Sequence, residues 1–434
     1  MKVKVIGAGL AGVEAAHILA KNGISVDLYE MKPHRFSPAH KLPTFAELVC
    51  SNSLKAERFG SAAGLLKWEM ERLGSLTVPC AKENAVPAGG ALAVDRTAFS
   101  NQITDMIKKD PLITVKNCEV TSVDPDEYTV IATGPLTDGA LAESIKALCG
   151  EEYLNFYDAA APIVTRDSID MEHAFYASRY DNGDKDDYIN CPLSKDEYEL
   201  FVKELTSAEK ALLHEADSGM KVYEGCMPIE VLASRGDDAI RFGPMKPVGL
   251  KDPRTGHRPW AVLQLRKETK EAAMFNLVGF QTNLKFGEQK RVFGLIPALK
   301  NAEYVRYGVM HRNSFINSPH LLSSDFSMKK YPKISFAGQI SGVEGYMESV
   351  ASGIAAAYFL AAKIKGEPKP PFPVITMIGA LSDYISDESV KYFQPMGANF
   401  GILPPLDEKI RDKKERYNAL SNRSAEWFLT NIKE

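Results

Sequence analysis

Three glycines and one acidic residue near the start of the chain have the spacing of a dinucleotide-binding turn. Gly7, Gly9 and Gly12 form the pattern GxGxxG between an apolar strand pattern and a helical pattern. In such a turn the first glycine permits a tight bend, the second lets main-chain amides approach a pyrophosphate, and the third lets the helix pack closely on the strand. Glu30 ends the next strand pattern, where its carboxylate can accept hydrogen bonds from a ribose. We therefore predict dinucleotide contacts at Gly7, Gly9, Leu10, Ala11, Gly12 and Glu30.

A second glycine-rich stretch favours FAD over NAD as the dinucleotide. Residues 334–348 begin as a strand and run into a glycine-rich turn, and an Ala-rich helix is predicted over Ser349 to Lys363. Many FAD enzymes close their nucleotide domain in this way, with the N-terminus of the helix directed at the flavin or the pyrophosphate. The strand that ends in Ala132-Thr133-Gly134 is typical of the point where such chains pass the flavin. Further FAD contacts are predicted at Gly338, Gln339, Gly342, Glu344, Gly345 and Tyr346.

The six cysteines show no metal-binding pattern. They stand 30 to 42 residues apart, no CxxC occurs, and no Cys/His cluster has zinc spacing. No metal is therefore predicted, and since no signal peptide precedes the first strand, reduced thiols in a cytoplasmic protein are expected. The longest apolar run, Ile354 to Ala362, is shorter than the about 20 residues that span a bilayer, so no membrane partner is expected.

The charge of the chain is unevenly distributed. The net charge of −4 argues against a uniformly basic nucleic-acid binder. Residues 141–220 hold 18 Asp and Glu against 7 Lys and Arg, whereas residues 241–312 hold 14 Lys and Arg against 5 Asp and Glu. A basic segment inside an acidic protein indicates either an anionic partner or a lysine-rich solvated surface.

These patterns predict an α/β fold with an interruption. The βαβ rhythm of a Rossmann-like FAD-binding domain of the glutathione-reductase type is lost in the middle of the chain and returns near residue 334. We predict a first part of the FAD-binding domain over residues 1–157, an inserted α+β substrate or RNA domain over 158–301, and the second part of the FAD-binding domain over 302–434.

Segments along the whole chain resemble the folate- and FAD-dependent tRNA (uracil-5-)-methyltransferase family, TrmFO. The resemblance runs from Gly7 to Gly401 and leaves out the acidic region near 181–217 and the last thirty residues. Its most specific segments are GAGLAGVEAA, FAELVCSNSL, VPAGGALAVDR, EGCMPIEV, FGPMKPVGL, NLVGFQTNLK, RYGVMHRNSFINSP and FAGQISGVEGYMESVASG.

The resemblance implies methylation of uridine C5 in the T loop of tRNA. The carbon comes from 5,10-methylenetetrahydrofolate, FAD supplies the reducing equivalents, and NAD(P)H re-reduces the flavin. A thiolate must add to C6 of the uracil, and a second group must remove the C5 proton. With the resemblance, Cys226 is assigned as the nucleophile and Cys50 as the proton-transfer partner or as a thiol on the flavin side, although the roles of the two cysteines could be exchanged. Lys246, Lys285 and Arg312 are candidates to lower the pKa of the thiol.

The remaining assignments concern the RNA, the folate and the other cysteines. The basic segment would contact the tRNA phosphates, and a splayed base would stack on an aromatic ring. The stacking candidates are Trp260, Phe286 and Tyr346, the folate candidates are Gln281, Asn283 and Lys285, and the cysteines expected to be structural are Cys80, Cys118, Cys149 and Cys191.

Three alternatives stay open from the sequence. The same chemistry could act on a ribosomal RNA uridine, since only the RNA surface would differ. The chain could instead be an FAD-containing RNA-binding protein without methyl transfer, because a fold guarantees no chemistry. It could also be an NAD(P)H-dependent flavin oxidoreductase, which the basic segment disfavours. The sequence leaves the oligomeric state undetermined.

Overall fold

The computed structural model describes residues 2–150, 153–159, 161–181, 187–211, 227–267, 272–308, 310–390 and 393–432. Of these, residues 153–159, 181 and 310–312 are described by their main chain. The predicted nucleophile Cys226 lies outside the described residues.

Sixteen strands are present in this part of the chain. They are β1 Lys2–Ile6, β2 Ser25–Glu30, β3 Ser53–Ala56, β4 Ala85–Val86, β5 Ala91–Val94, β6 Ile113–Asn117, β7 Thr129–Ile131, β8 Tyr153–Ala159, β9 Ile163–Thr165, β10 Phe175–Tyr176, β11 Tyr188–Leu193, β12 Ala261–Lys267, β13 Met274–Leu277, β14 Tyr304–Arg306, β15 Met310–Ile316 and β16 Ile334–Phe336.

Twelve α-helices accompany these strands in the same ranges. They are α1 Leu10–Lys21, α2 Ala62–Arg72, α3 Thr77–Glu83, α4 Arg96–Lys109, α5 Gly139–Cys149, α6 Lys195–Ser207, α7 Ile229–Ala233, α8 Phe286–Phe293, α9 Ser318–Leu321, α10 Tyr346–Ile364, α11 Met377–Tyr384 and α12 Lys413–Asn431.

A five-stranded parallel sheet carries the N-terminal glycine turn. Its strand order is β16-β7-β1-β2-β6, and every neighbouring pair runs parallel. Because the chain passes from β1 to β2 on one side and β7 joins β1 on the other, the carboxyl ends of β1 and β7 form a topological switch point. Ligands of doubly wound sheets bind at such a point. A smaller antiparallel sheet, of order β3-β5-β4, lies between β2 and β6 in the sequence.

A six-stranded antiparallel sheet forms from the middle of the chain. Its order is β10-β11-β12-β13-β9-β14, and it has its own hydrophobic core. In that core the ring of Phe280 packs on Phe201 and Phe293, with centroids 5.9 and 5.4 Å away. β8 and β15 pair antiparallel along their whole length. They form a two-stranded ribbon on the way into and out of the second sheet.

Two long helices pack on each other against the parallel sheet. A Cβ on Gly353 of α10 would lie 2.2 Å from the carbonyl oxygen of Ala11 in α1, so glycine permits this close approach. By length and composition α10 is the helix of the described chain that could cross a membrane, yet 78% of its apolar window is buried inside the protein. It is a core helix.

A buried carboxylate joins the C-terminal helices to α2. Glu69 accepts hydrogen bonds from the main-chain N–H groups of Met377 (2.7 Å) and Ile378 (2.8 Å) and from the hydroxyl of Ser424 (2.6 Å). It is fully buried, and burial raises its pKa to about 7.

Candidate active site

A cavity opens at the switch point of the parallel sheet. Its walls include the segments that follow β1, β2, β6, β7 and β16, and the first turn of α10. Eight of the predicted FAD contacts line it, namely Gly7, Gly9, Leu10, Ala11, Glu30, Gly338, Gln339 and Tyr346. Thr133 and Gly134 of the strand-ending pattern line it as well.

The glycine turn leaves space where a ligand would approach. A Cβ on Gly12 would lie 1.8 Å from the carbonyl oxygen of Gly7, and a Cβ on Gly7, whose φ is +97°, would lie 2.6 Å from that of Ala132. A Cβ on Gly9, in contrast, would meet no protein atom within 4 Å. Gly7 and Gly12 are therefore needed for the turn itself, whereas the absent side chain of Gly9 leaves room inside the cavity.

Two helix N-termini converge on this space. Neither α1, capped by Gly9, nor α10, capped by Gly345, has a side chain that caps its first N–H groups. Both helices begin at the cavity, since Leu10 and Tyr346 line it. Free N–H donors and the positive ends of two helix dipoles suit the phosphates of a dinucleotide.

Glu30 is held with its carboxylate at the cavity. Its oxygens accept hydrogen bonds from the main-chain N–H groups of Ala8 (2.9 Å) and Lys32 (3.0 Å). These two bonds leave further lone pairs for ribose hydroxyls. The ammonium of Lys32 is buried beside it, and desolvation lowers the pKa of this lysine, although Glu30 and Glu47 raise it.

The other four predicted FAD residues support the cavity without lining it. Both carboxylate oxygens of Glu344 accept from the side-chain amide of Gln339 at 2.9 Å, so Glu344 orients a residue of the wall. Gly342 and Gly345 have φ values of +83° and +122°, which glycine adopts without strain. Gly12 supports the first turn as described above. Together these features fit FAD.

The loop that carries Cys50 lies beside the cavity, and its neighbour Val49 lines it. The hydroxyl oxygen of Tyr346 accepts hydrogen bonds from the N–H groups of Cys50 (2.7 Å) and Ser51 (3.2 Å). The guanidinium of Arg306 donates to the carbonyls of Val49 and Cys50. The Cys50 side chain is half-buried.

The described residues on both sides of the segment 212–226 bond to one loop. The N–H of Ala211 donates to the carbonyl of Asn283, and the N–H of Ile229 donates to that of Gln281, both at 2.7 Å. The buried carboxylate of Glu230 accepts from the hydroxyl of Thr282 and the N–H of Asn283 at 2.8 Å. The loop 281–283, which holds two of the folate candidates, is thus fixed beside the chain that follows Cys226.

This loop and the Cys50 loop are connected through α8 and β14. The side chain of Gln289 in α8 exchanges two 2.8 Å hydrogen bonds with the main chain of Gly308. The ring of Phe286 stacks on Tyr307, next in sequence to Arg306, with centroids 4.7 Å apart. The loop 281–283 and the Cys50 loop are thus linked through contacts of α8 and of the chain that follows β14.

Sequence comparison assigns the chain to a family. Residues 2–368 match the family model described as "Glucose inhibited division protein A". A protein of Acetivibrio thermocellus named methylenetetrahydrofolate–tRNA-(uracil-5-)-methyltransferase TrmFO is 57% identical over 95% of this chain and 94% of that protein. Proteins of the same name from Desulfitobacterium hafniense and Enterococcus faecalis are 55% and 54% identical, over 97% and 98% of this chain and 96% and 97% of theirs. The chain belongs to the TrmFO family.

Solved structures confirm the α/β fold class. Two crystal forms of Aquifex aeolicus GidA match 99% of this chain with TM-scores of 0.70 and 0.68, at 16% and 15% identity. The matched regions make up 75% and 73% of the two GidA chains. At this sequence identity the similarity concerns the fold alone. The predicted family resemblance is likewise confirmed by the relatives above.

The cations predicted to activate a thiol in this TrmFO-family chain lie in different places. Lys246 follows Met245, which bonds to Val262 at the start of β12, whereas Cys50 lies near the end of that strand. The exposed side chain of Lys285 pairs with Glu209 at 2.5 Å. Arg312 lies in β15, where its main chain pairs with Tyr157, and its side chain is outside the described part of the structure.

The three stacking candidates differ in exposure. Trp260 lies under the guanidinium of Arg241, 3.8 Å from the ring centroid, and is half-buried. The hydroxyl of Tyr346 is hydrogen-bonded to the main chain of the Cys50 loop. Phe286 is 54% exposed and forms the outer end of a three-ring stack, in which Tyr307 lies 4.8 Å from Tyr304.

The four cysteines expected to be structural fall into two groups. Cys80, Cys149 and Cys191 are buried, and burial raises the pKa of Cys80 to about 11 and that of Cys149 to about 12. Burial also raises the pKa of Cys191. Cys118 departs from the expectation of a core position, because it is exposed and lines the cofactor cavity.

Sequence reasoning missed the residues that hold the Cys50 loop from a distance. Arg306 and Arg266 come from the antiparallel sheet, more than 200 positions away in the chain. No local pattern marks them, although Arg306 begins one of the family segments. Arg35 and His40 also line the cavity, although no cofactor contact was predicted at either residue.

Proposed function

We propose that this protein transfers the one-carbon unit of 5,10-methylenetetrahydrofolate to C5 of a uridine in tRNA, where it becomes a methyl group. The observation that carries the proposal is 57% identity, over 95% of the chain, to a relative that bears this name. The cavity supports it, because two helix N-termini, a glycine turn and Glu30 suit FAD. When bound, FAD supplies the reducing equivalents that convert the methylene carbon to a methyl group.

The two cysteines divide the work on uracil. The thiolate of Cys226 adds to C6, which makes C5 nucleophilic toward the methylene carbon, and Cys50 takes the C5 proton before Cys226 leaves. The participation of both cysteines is supported by the loop 281–283, which bonds to the chain that follows Cys226 and is linked through α8 and β14 to the Cys50 loop.

Phe286 provides the platform for an unpaired base next to the reacting uridine. Its exposed ring closes the stack with Tyr307 and Tyr304, and the free face of a stack is where a nucleobase adds. The tRNA backbone follows the basic segment 241–312. Gln281 and Asn283 hold the folate, with Lys285 at its glutamate tail.

The remaining features of the proposal concern the reductant, the compartment and the domains. NAD(P)H binds transiently at the flavin, since a second GxGxxG is absent from the sequence, and the protein acts in the cytoplasm. The nucleotide-binding domain consists of residues 1–157 and the C-terminal segment, with the inserted domain between them. Because β14 pairs with β9, we place the second boundary after Arg306 and not at 301.

The test is a 5-methyluridine assay on defined RNA. Purified protein is incubated with methylenetetrahydrofolate, NADH or NADPH, FAD, and unmodified tRNA or rRNA transcripts, and the product nucleosides are measured by mass spectrometry. Wild type is compared with Cys226→Ala and with Cys118→Ala, which removes a thiol exposed at the cavity.

We expect a methyl group on tRNA that disappears entirely in Cys226→Ala and persists in Cys118→Ala. A methyl group on rRNA alone would show that the substrate is ribosomal RNA and not tRNA. Oxidation of NAD(P)H without methylation of either RNA would leave an oxidoreductase and reject the proposal.

A further inference from the structure

The main chain around Cys50 is held in a conformation that ordinary residues rarely adopt. Ala46 and Lys55, four positions before and five after the thiol, have φ values of +50° and +63°. Non-glycine residues persist in this left-handed region where surrounding contacts over-determine the backbone, and such positions cluster at functional sites. The contacts that fix this loop are therefore informative.

The two ends of the loop attach to the cofactor-binding half. The N–H of Ala46 donates to the carbonyl of Ala8 in the glycine turn at 3.0 Å. The ammonium of Lys55 donates to the fully buried Glu348 in the first turn of α10 at 2.7 Å. The loop therefore spans the same two helix N-termini that flank the cavity.

The centre of the loop is hydrogen-bonded to α10 on one side and to the antiparallel sheet on the other. Tyr346 projects from the first turn of α10, and its hydroxyl oxygen accepts from the N–H groups of Cys50 (2.7 Å) and Ser51 (3.2 Å). From the antiparallel sheet, Arg306 donates to the carbonyls of Val49 and Cys50, the latter at 3.1 Å. The amide and carbonyl groups beside the thiol thus bond to two side chains, one from helix α10 and one from the antiparallel sheet.

Further contacts tie the next residues of the loop to β12. The buried side chain of Asn52 donates to the carbonyl of Lys267 (2.7 Å) and accepts from Arg266 (2.9 Å). Arg266 also donates to the hydroxyl of Ser51 at 2.6 Å. These bonds explain how the strained backbone is maintained, since each one would be lost if the loop relaxed.

We propose that Tyr346 and Arg306 are positioning residues that clamp the peptide groups of Cys50 and thereby place its thiol for proton transfer at the uracil. This inference rests on the proposed function for the reaction, whereas the clamp itself concerns only this chain. It gives Tyr346 a second role beside its predicted contact with FAD. It also makes the location of Cys50 depend on the docking of the antiparallel sheet, through Arg306, against the parallel one.

The experiment uses two conservative substitutions with matched controls. Tyr346→Phe removes only the accepting oxygen, and Arg306→Lys keeps the charge but removes the fork that reaches two carbonyls. The controls are Tyr358→Phe, on the same helix but bonded to Lys369, and Arg423→Lys, whose guanidinium donates to the carbonyls of Pro404 and Pro405.

Two readouts are taken on the flavin-loaded protein. Amide hydrogen exchange, followed by mass spectrometry, reports on the N–H groups of Cys50 and Ser51, and flavin content is checked by visible absorbance. Steady-state methylation gives kcat and KM for tRNA separately.

We expect Tyr346→Phe to accelerate exchange in the peptide containing Cys50 and Ser51 by about tenfold or more, without an effect elsewhere. We expect kcat to fall roughly 10- to 100-fold in both clamp variants, with KM for tRNA unchanged, because misplacement of a catalytic group by about 1 Å has this consequence. The control variants should match wild type in both measurements.

Exchange at Cys50 that equals the controls in both clamp variants would overturn the clamp. Faster exchange with an unchanged kcat would overturn its role in placing the thiol. If wild type methylates no RNA, the proposed function fails, while the exchange measurement still decides the clamp.

Discussion

The cofactor cavity and the surface that we propose to bind RNA are built by different means. Around the cavity, the groups that suit phosphates are main-chain groups of the glycine turn and of two helix N-termini, and the Glu30 carboxylate is the side chain held for a ribose. Around the loop 281–286 and β14, side chains take this part: the exposed ring of Phe286 offers a stacking face, and Arg306 holds the Cys50 loop. A main-chain site fails by collision when a side chain is added, whereas a side-chain site fails when a contact is removed. Substitutions on the two sides should therefore produce separable defects.

Glycine substitutions should produce the largest defect, and it should lie in cofactor retention. Gly12→Ala would place a Cβ 1.8 Å from a main-chain oxygen, so we expect loss of bound FAD together with lower stability. Gly9→Ala meets no protein atom within 4 Å. This substitution should leave the melting temperature of the apoprotein unchanged. It should lower the affinity for FAD by roughly 5- to 150-fold, which corresponds to an overpacking cost of about 1–3 kcal/mol.

Flavin fluorescence titration and thermal denaturation of the apoprotein measure these two effects. Gly90→Ala is the control, because a Cβ there is also unobstructed but Gly90 does not line the cavity. Equal FAD affinity of Gly9→Ala and Gly90→Ala would show that the space at Gly9 is not occupied by cofactor.

Removal of the exposed ring should give an intermediate defect, and it should lie in RNA affinity. Phe286→Ala removes the outer ring of the stack with Tyr307. Stacking of one base contributes about 1–3 kcal/mol, so we expect KM for tRNA to rise roughly 5- to 150-fold with flavin content and NAD(P)H oxidation unchanged. Phe286→Trp should restore the affinity.

Phe242→Ala is the matched control, since Phe242 is 74% exposed in the same basic segment and its ring contacts the Arg241 guanidinium at 5.6 Å. The same rise in KM for both variants would show that any exposed aromatic ring in the basic segment has this effect and that Phe286 has no specific role. An unchanged KM in Phe286→Ala would reject the platform.

The smallest effect on methyl transfer is expected at Glu69, which supports the cofactor half away from the cavity. Burial raises its pKa from 4.5 to about 7, so the folded state holds its proton more tightly than the unfolded state. The stability contributed by this group is therefore fully present below about pH 4.5. It is lost as the pH rises through about 7, by on the order of 3 kcal/mol.

Urea denaturation between about pH 5 and 8 tests this prediction. Glu69→Gln should unfold with a flatter pH dependence than wild type. Glu71→Gln, on the same helix but partly exposed and paired with Lys82, is the control and should keep the steeper slope. Parallel curves for wild type and Glu69→Gln would contradict the raised pKa.

Local spacing in the sequence predicted the main elements of the cofactor cavity. The first turn, the strand that ends at Glu30 and the glycine-rich stretch before α10 are each contiguous, so their periodicity and glycine spacing predict their structure. The carboxyl ends of parallel strands then meet at one edge of the sheet, which is why eight separately predicted residues line one cavity. The reaction itself was inferred from the sequence segments that the chain shares with the TrmFO family.

Only the tertiary structure decided how the thiol of Cys50 is held and which aromatic ring faces solvent. Arg306 reaches the Cys50 loop across 256 positions of sequence, and Tyr346 reaches it across 296. Such contacts depend on how two sheets dock, and no local pattern records that arrangement. Among Trp260, Phe286 and Tyr346 the sequence could not choose, because exposure is a property of the packed fold and not of the residue type.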